Sequence, residues 1–362
     1  MTAPLLVQAL RAPSAMAGFS VAEWDLLLRQ ATVANLTAAL YYLAEQAGVL
    51  EQLPAPARVH LEWAHVHGER HRQAVRFEVR EIGRALAALG QPLILMKGAA
   101  YTMAELAPAP GRLFSDIDIM VPKQRLPEVE AALMMHGWVS HHTDAYDQRY
   151  YREWMHELPP MQHARRQSLI DVHHAILPET ARARPDPDKL RAAALPLAGE
   201  PGLRVFAPVD MVLHSAVHLF CDGEFDKGLR DLLDIHRLLL DFGRDPAFWT
   251  ALAPRAEELQ IARPLFYALR YTTQFLGTPV PAEVMGAVAD RPAAPLLALM
   301  DCLFGRALLP MHASCNGRLT KLARFLLYIR GNWLRMPPLL LARHLFHKAF
   351  ISPRDKTEER AA

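Results

Sequence analysis

Two aspartates separated by one residue are the strongest chemical signal in the sequence. Asp116 and Asp118 lie in the run Ser-Asp-Ile-Asp-Ile-Met-Val at 115–121, and the apolar residues between and after them predict a buried strand. Because successive side chains of a strand point to opposite faces, both carboxylates are expected on one face. Oxygen ligands of this kind suit a divalent cation such as Mg²⁺.

A third carboxylate lies on another predicted strand, within residues 167–176. Asp171 shares one face of that strand with Leu169 and His173. Converging carboxylates raise one another's pKa unless a cation is bound, so the three aspartates together favour a metal site. His173 is placed to touch a substrate or a metal-bound water, but a structural role for this histidine is the favoured interpretation.

A glycine follows a short apolar run at residues 92–96, and the residues from 99 to 106 have helical character. Lys97 and Gly98 therefore lie at a predicted strand-to-helix junction. Free backbone N–H groups and the helix dipole favour anions at such a junction. Because glycine has no side chain, a phosphate group can approach the backbone closely there.

Helices are predicted around these motifs. Apolar residues recur at helical spacing over 20–51, as one or two helices, and over 56–89, where Gly90 ends the pattern. A further helix is predicted over 122–136. The mixed pattern at 138–166 allows one or two strands, and beyond residue 178 the chain is expected to be helical almost throughout.

The predicted fold class is α/β, of the α+β type, with a small mixed sheet and helices. Its predicted parts are an N-terminal helical segment at 1–90, the core at 91–178, a helical C-terminal domain at 179–351 and a disordered tail at 352–362.

The composition is that of an ordinary globular protein. The 362 residues are 51% hydrophobic and 22% charged, and the net charge of +2 gives no strong signal for nucleic acid. Three widely spaced cysteines form neither a metal-binding pair nor a disulfide framework, which favours a reducing cytoplasm. Neither a signal peptide nor a transmembrane run of apolar residues is expected.

Together these motifs resemble an uncharacterised branch of the nucleotidyltransferase superfamily related to DNA polymerase beta. That superfamily has a glycine turn between a strand and a helix, an Asp-x-Asp or Asp-x-Glu pair on the next strand and a third acidic residue on a later one. The resemblance extends over about residues 81–176 and rests on 95–99, Arg112, 115–121 and 170–173.

The resemblance implies a reaction and a set of residues. A nucleoside monophosphate would pass from an NTP such as ATP to a hydroxyl or other nucleophile of an unknown acceptor, with release of pyrophosphate. Two Mg²⁺ ions roughly 4 Å apart would be held by the carboxylates, and Asp171 would also orient or deprotonate the acceptor. The implied metal ligands are Asp116, Asp118 and Asp171. The implied nucleotide contacts are Lys97, Gly98, Ala99, Arg112 and Ser115.

Two alternatives to this function remain open. Ala99 stands where the superfamily more often has serine or a second glycine, which allows a degenerate protein that binds a nucleotide or a partner without catalysis. His214 and His218, four residues apart and followed by several aspartates, allow a metal phosphohydrolase. The contiguous His-Asp pair typical of such enzymes is missing, so packing of both imidazoles is favoured.

The C-terminal run at 318–348 contains no acidic residue and several arginines and lysines. This composition allows contact with an anionic membrane or with nucleic acid. A helix that packs on the core and exposes a basic outer face is the favoured interpretation.

Overall fold

A computed structural model describes residues 3–140, 148–337 and 341 of the chain. The predicted disordered tail at 352–362 and most of the segment after 337 lie outside these residues. Among the described residues, no helix is both long and apolar enough to cross a bilayer.

Seven strands form one mixed sheet in the described part of the chain, in the order β3-β4-β5-β2-β1-β7-β6. The strands are β1 (Leu93–Leu95), β2 (Asp116–Met120), β3 (Trp138–Ser140), β4 (Met161–His163), β5 (Leu169–His173), β6 (Leu195–Pro196) and β7 (Leu203–Val205). At the centre, β2 is parallel to β5 and antiparallel to β1, and β1 is parallel to β7. The structure therefore confirms the predicted mixed sheet with helices.

The N-terminal helices pack on one another and on the sheet domain. They are α1 (Leu5–Arg11), α2 (Val21–Val33), α3 (Thr37–Gln46) and α4 (Ala55–Leu86). The start of α2 is fixed by a capping box, in which Ser20 and Glu23 satisfy each other's backbone N–H groups. Beyond α4 the chain makes a short turn and reverses at Gly90, whose φ of 63° is one that glycine adopts without strain. The long second helix predicted from the sequence is confirmed.

Helices also connect the strands and form the C-terminal part of the protein. They are α5 (Lys97–Met103), α6 (Leu126–Met135), α7 (Pro187–Ala193), α8 (Pro208–Cys221), α9 (Gly228–Phe242), α10 (Pro246–Glu258), α11 (Ala262–Tyr271), α12 (Ala282–Ala287), α13 (Ala294–Ala307) and α14 (Thr320–Arg335). Helix α5 begins at Lys97, two residues before the helical pattern that the sequence showed from residue 99.

Two short strands lie in the part of the chain that was expected to be helical almost throughout. β7 pairs with β1 and β6 pairs with β7, so the sheet continues beyond residue 178 to residue 205. Strands of two or three residues are too short to show an alternating pattern, which explains why the sequence did not indicate them.

One continuous hydrophobic core joins the sheet to helices from both ends of the described chain. All three residues of β1 are buried, and in β2 only Asp116 is partly exposed. The carboxylates of the central strands therefore lie at the edge of a packed interior, where uncompensated charge is costly.

Candidate active site

Asp118 and Asp171 lie side by side on the two central parallel strands. The register pairs Asp118 of β2 directly with Asp171 of β5, and Met120 with His173. Because paired residues of parallel strands point to the same face, the two carboxylates converge. One ligand atom from each of Asp118, Asp171 and His173 lies within 4.8 Å of the others, so these residues can hold a metal ion.

Asp116 lies two residues before Asp118, on the same face of β2, and is half-buried. Its carboxylate is outside the compact group formed by Asp118, Asp171 and His173. The hydroxyl of Ser115 donates a hydrogen bond of 3.0 Å to Asp116. The structure thus brings two of the three predicted carboxylates together and leaves the third at the start of the same strand.

Asp118 is buried and accepts two hydrogen bonds at Oδ1. Lys97 Nζ donates at 3.1 Å and His173 Nε2 at 3.0 Å. Burial alone would raise the pKa of Asp118, but Lys97 and His173 hold it well below the ordinary value. Burial would likewise lower the pKa of Lys97, yet Asp118 and Asp116 raise it. Both groups are therefore charged at neutral pH.

Asp171 has a different environment from its neighbour. In the described part of the chain its carboxylate forms no hydrogen bond or ion pair. Burial, together with the negative charges of Asp118 and Glu157, raises the pKa of Asp171 to about 8. The pair thus contains one carboxylate whose charge is compensated, Asp118, and one whose ionised form no ion-pair partner stabilises, Asp171.

Lys97 reaches Asp118 from an unusual backbone conformation. Its φ is +43°, in the left-handed region that costs a residue other than glycine about 1–2 kcal/mol. Lys97 lies at the point where β1 gives way to α5, and the first N–H groups of a helix have no intrahelical partner. Backbone strain of this kind often accompanies a functional site.

Gly98 and Arg112 are packed against each other beneath this turn. Both are buried, and a Cβ at Gly98 would lie 2.7 Å from the Phe114 ring and closer still to the Arg112 guanidinium. Arg112 donates a hydrogen bond of 2.6 Å to Asp234 on α9. Close packing is therefore a structural reason for glycine at 98, and the charge of Arg112 is already neutralised. The phosphate contacts that the resemblance implies for both residues stay predictions.

Gly98→Ala is expected to lower the free energy of unfolding by about 1–3 kcal/mol, because the added methyl group overpacks this contact. Urea denaturation followed by circular dichroism measures the effect. Gly305→Ala is the matched control, since no atom lies within 4 Å of a Cβ at that position and alanine favours a helix interior. Equal stability of the two variants would contradict the packing argument.

Two residues that the sequence did not single out lie next to the carboxylate pair. His156 and Glu157 follow a π-helical turn at Tyr150–Trp154, and Glu157 Oε2 is 3.1 Å from His173 Nδ1. The contiguous His-Glu pair was the available signal, but the mixed pattern of 138–166 concealed its position relative to the strands.

His214 and His218 lie on α8 near the same centre. The positive charge of Lys97 adds to burial in lowering the pKa of both imidazoles, so both are neutral at pH 7. His214 is buried edge-to-face against Phe206, with ring centres 5.4 Å apart, and His218 Nε2 is 3.4 Å from Asp222. Neither histidine belongs to a group of three close metal-binding side chains among the described residues. Packing explains them better than a phosphohydrolase centre.

Residues 20–277 match the model of an uncharacterised nucleotidyltransferase family. The match covers more than two thirds of the chain. The chain belongs to this family. No curated protein matches the sequence.

Membership in this nucleotidyltransferase family indicates nucleotidyl transfer in general and confirms the resemblance found in the sequence. The match begins within the N-terminal helices and ends after α11, so it is much longer than the motif-bearing stretch at 81–176. The helices α12, α13 and α14 lie beyond it.

Proposed function

We propose that the protein transfers a nucleoside monophosphate from an NTP to a hydroxyl or other nucleophile of an acceptor, in a metal-dependent reaction that releases pyrophosphate. The pairing of Asp118 with Asp171 across β2 and β5 carries this proposal, since it places two carboxylates on one face at the edge of the core. Family membership supplies the class of reaction.

The donor set fits Mg²⁺, which prefers oxygen ligands and is commonly bound through one or two carboxylates. Asp118 and Asp171 would hold it, with Asp116 available on the same face. Asp171 lacks an ion-pair partner among the described residues, so a cation bound there would stabilise its ionised form, which is a second reason for the fit. When bound, two Mg²⁺ ions would stabilise the charge on the attacking and leaving oxygens.

The residues of the chain would bind and orient the substrates. Lys97 lies 3.1 Å from Asp118 of the carboxylate pair and would donate to a phosphate oxygen. Backbone N–H groups of Gly98 and Ala99 would assist, because they lie in the first turn of α5. Arg112 would support this turn from below through its bond to Asp234. Asp171 would orient the acceptor hydroxyl.

Calorimetry with NTP and Mg²⁺, paired with a pyrophosphate-release assay, tests the proposal. The wild type is expected to bind and to release pyrophosphate. Asp118→Asn should lower kcat by at least about 10³-fold, because a metal ligand that stabilises the transition state is lost. Circular dichroism checks that this variant is folded, since Lys97 loses its partner.

The degenerate alternative predicts a different result in the same experiment. Wild-type protein that binds the NTP without pyrophosphate release in the presence of acceptor-containing lysate would favour it. Undiminished turnover by Asp118→Asn would contradict the metal assignment directly.

A further inference from the structure

A second group of side chains that could hold a metal ion adjoins the carboxylate pair. One ligand atom from each of His156, Glu157 and His173 lies within 4.8 Å of the others. His173 belongs to both groups. Its Nε2 lies 3.0 Å from Asp118, and its Nδ1 lies 3.1 Å from Glu157.

Two imidazole nitrogens of this group have no hydrogen-bond partner within the described chain. Nδ1 of His156 and Nδ1 of His173 are both buried and have no hydrogen-bond partner. His173 as a whole is only 4% exposed, so water cannot readily reach its Nδ1. An unsatisfied buried polar atom costs about 1–3 kcal/mol. The 3.1 Å approach of Glu157 to His173 is therefore close but not aligned as a hydrogen bond.

The local charge balance also favours a cation. Asp118 is paired with Lys97. Asp171 and Glu157, in contrast, have no lysine or arginine partner among the described residues, and both are largely buried. Buried carboxylates that lack a cation destabilise a fold.

We propose that His156, Glu157 and His173 form a second cation site, which binds a first-row transition metal such as Zn²⁺, Co²⁺ or Mn²⁺ in preference to Mg²⁺. Two imidazole nitrogens and one carboxylate suit such ions, whereas Mg²⁺ prefers oxygen ligands alone. Three protein ligands leave a coordination position open, as in catalytic rather than structural zinc sites.

The hydrogen bond from His173 to Asp118 supports this site independently. A histidine that binds a metal through one nitrogen usually donates its other N–H group to a carboxylate, which fixes the ring orientation. His173 has this arrangement, with Nε2 directed to Asp118 and Nδ1 directed to the proposed metal. A metal at Nδ1 would thereby hold His173, and through it Asp118, in a fixed position next to Asp171.

Titration with Co²⁺ in excess Mg²⁺ tests the proposal, because nitrogen ligation of Co²⁺ gives visible d–d absorption that Mg²⁺ does not produce. We expect binding of one Co²⁺ per chain with such absorption. His156→Ala should weaken Co²⁺ binding at least about tenfold. Loss of a group that only hydrogen-bonds to a metal ligand already lowers metal affinity by about that factor, and His156 is a proposed ligand itself. Glu157→Gln, which preserves the shape of the side chain, should weaken it as well.

Two further variants serve as controls. His136→Ala removes an exposed histidine of the surface and should leave the titration unchanged. Asp171→Asn should retain the d–d absorption, since Asp171 belongs to the carboxylate group alone. Absence of nitrogen-ligated Co²⁺ in the wild type, or a signal that survives both His156→Ala and Glu157→Gln, would overturn the proposal.

The result is separable from the proposed function. Co²⁺ binding with no pyrophosphate release would leave this site standing and remove nucleotidyl transfer. Pyrophosphate release with no nitrogen-ligated Co²⁺ would do the reverse.

Discussion

Asp171→Asn is expected to stabilise the metal-free protein and to abolish its nucleotidyl transfer. Folding of the metal-free protein forces Asp171 either to keep its proton or to bury an uncompensated charge, and the neutral amide of asparagine removes this cost, so the free energy of unfolding should rise by about 1–3 kcal/mol. The same change removes a proposed metal ligand and the group that orients the acceptor. Stability gained at the expense of activity is typical of active-site residues. Thermal denaturation in EDTA and pyrophosphate release measure the two effects.

The stability that Asp171→Asn gains over the wild type depends on pH in a defined direction. Burial and the charges of Asp118 and Glu157 raise the pKa of Asp171 from the ordinary 3.8 to about 8, so between these values the unfolded state releases the Asp171 proton and the folded state retains it. The wild type therefore loses stability relative to Asp171→Asn as the pH rises from about 4 to about 8, with no further change above. A stability difference that shrinks as the pH rises would contradict this assignment.

Asp118→Asn is the matched comparison, because it removes the neighbouring carboxylate with the same change of side chain. Asp118 is paired with Lys97 and His173, so its loss leaves a buried lysine uncompensated. This variant should be less stable than the wild type in EDTA, whereas Asp171→Asn should be more stable. If both variants were more stable than the wild type in EDTA, or both less stable, neighbouring positive charges would not stabilise Asp118 more than Asp171.

Arg112→Gln is expected to have the largest effect on stability, with a loss of about 3–5 kcal/mol. The guanidinium is 2.6 Å from Asp234 and 4.0 Å from Asp231, and its side chain is 7% exposed. It also lies over the rings of Tyr101 and Phe114. Without Arg112, the carboxylates of Asp231 and Asp234 on α9 are left next to each other with less compensation. Urea denaturation at neutral pH measures the loss.

Arg80→Gln is the control for this prediction. Arg80 forms an ion pair of similar length with Glu200, 2.6 Å, but its side chain is 56% exposed. Exposed ion pairs contribute about 0–1 kcal/mol, so this variant should be nearly as stable as the wild type. Similar losses for the two variants would mean that burial does not set the strength of the Arg112 contact.

The Arg112 contact has a consequence for activity as well. Arg112 lies in the loop before β2, and Asp234 lies 122 residues later on α9, so the bond joins this loop to the helical part of the protein. Arg112 also packs against Gly98 at the turn into α5. We therefore expect loss of the Arg112–Asp234 ion pair to shift the turn at Gly98. Such a shift would displace Lys97 from its hydrogen bond with Asp118.

The central strands and the carboxylate pair were predictable from the sequence. Alternation of isoleucine and aspartate in β2 specifies which face carries Asp116 and Asp118, because the period of a strand is two residues. The same pattern indicated β5 and Asp171. Family membership confirms the resemblance that these motifs suggested.

The partners of the site residues were not predictable in the same way. Nothing in the local pattern around Arg112 indicates that Asp234 neutralises it, since the contact depends on how α9 packs against the sheet domain. His156 and Glu157 lie on an irregular segment without periodicity, and their proximity to His173 arises from an isolated bridge between Glu157 and His173. Such long-range contacts depend on the complete fold rather than on local sequence.

Transfer of label from an NTP tests the central claim most directly. Wild-type protein is incubated with Mg²⁺, acceptor-containing lysate and ATP labelled at either the α- or the γ-phosphate, with Asp118→Asn and Asp171→Asn in parallel. Nucleotidyl transfer predicts that the α label enters an acceptor, that the γ label leaves in pyrophosphate, and that both variants and EDTA abolish the transfer. Entry of the γ label into the acceptor, or α-label transfer that survives loss of either carboxylate, would contradict it.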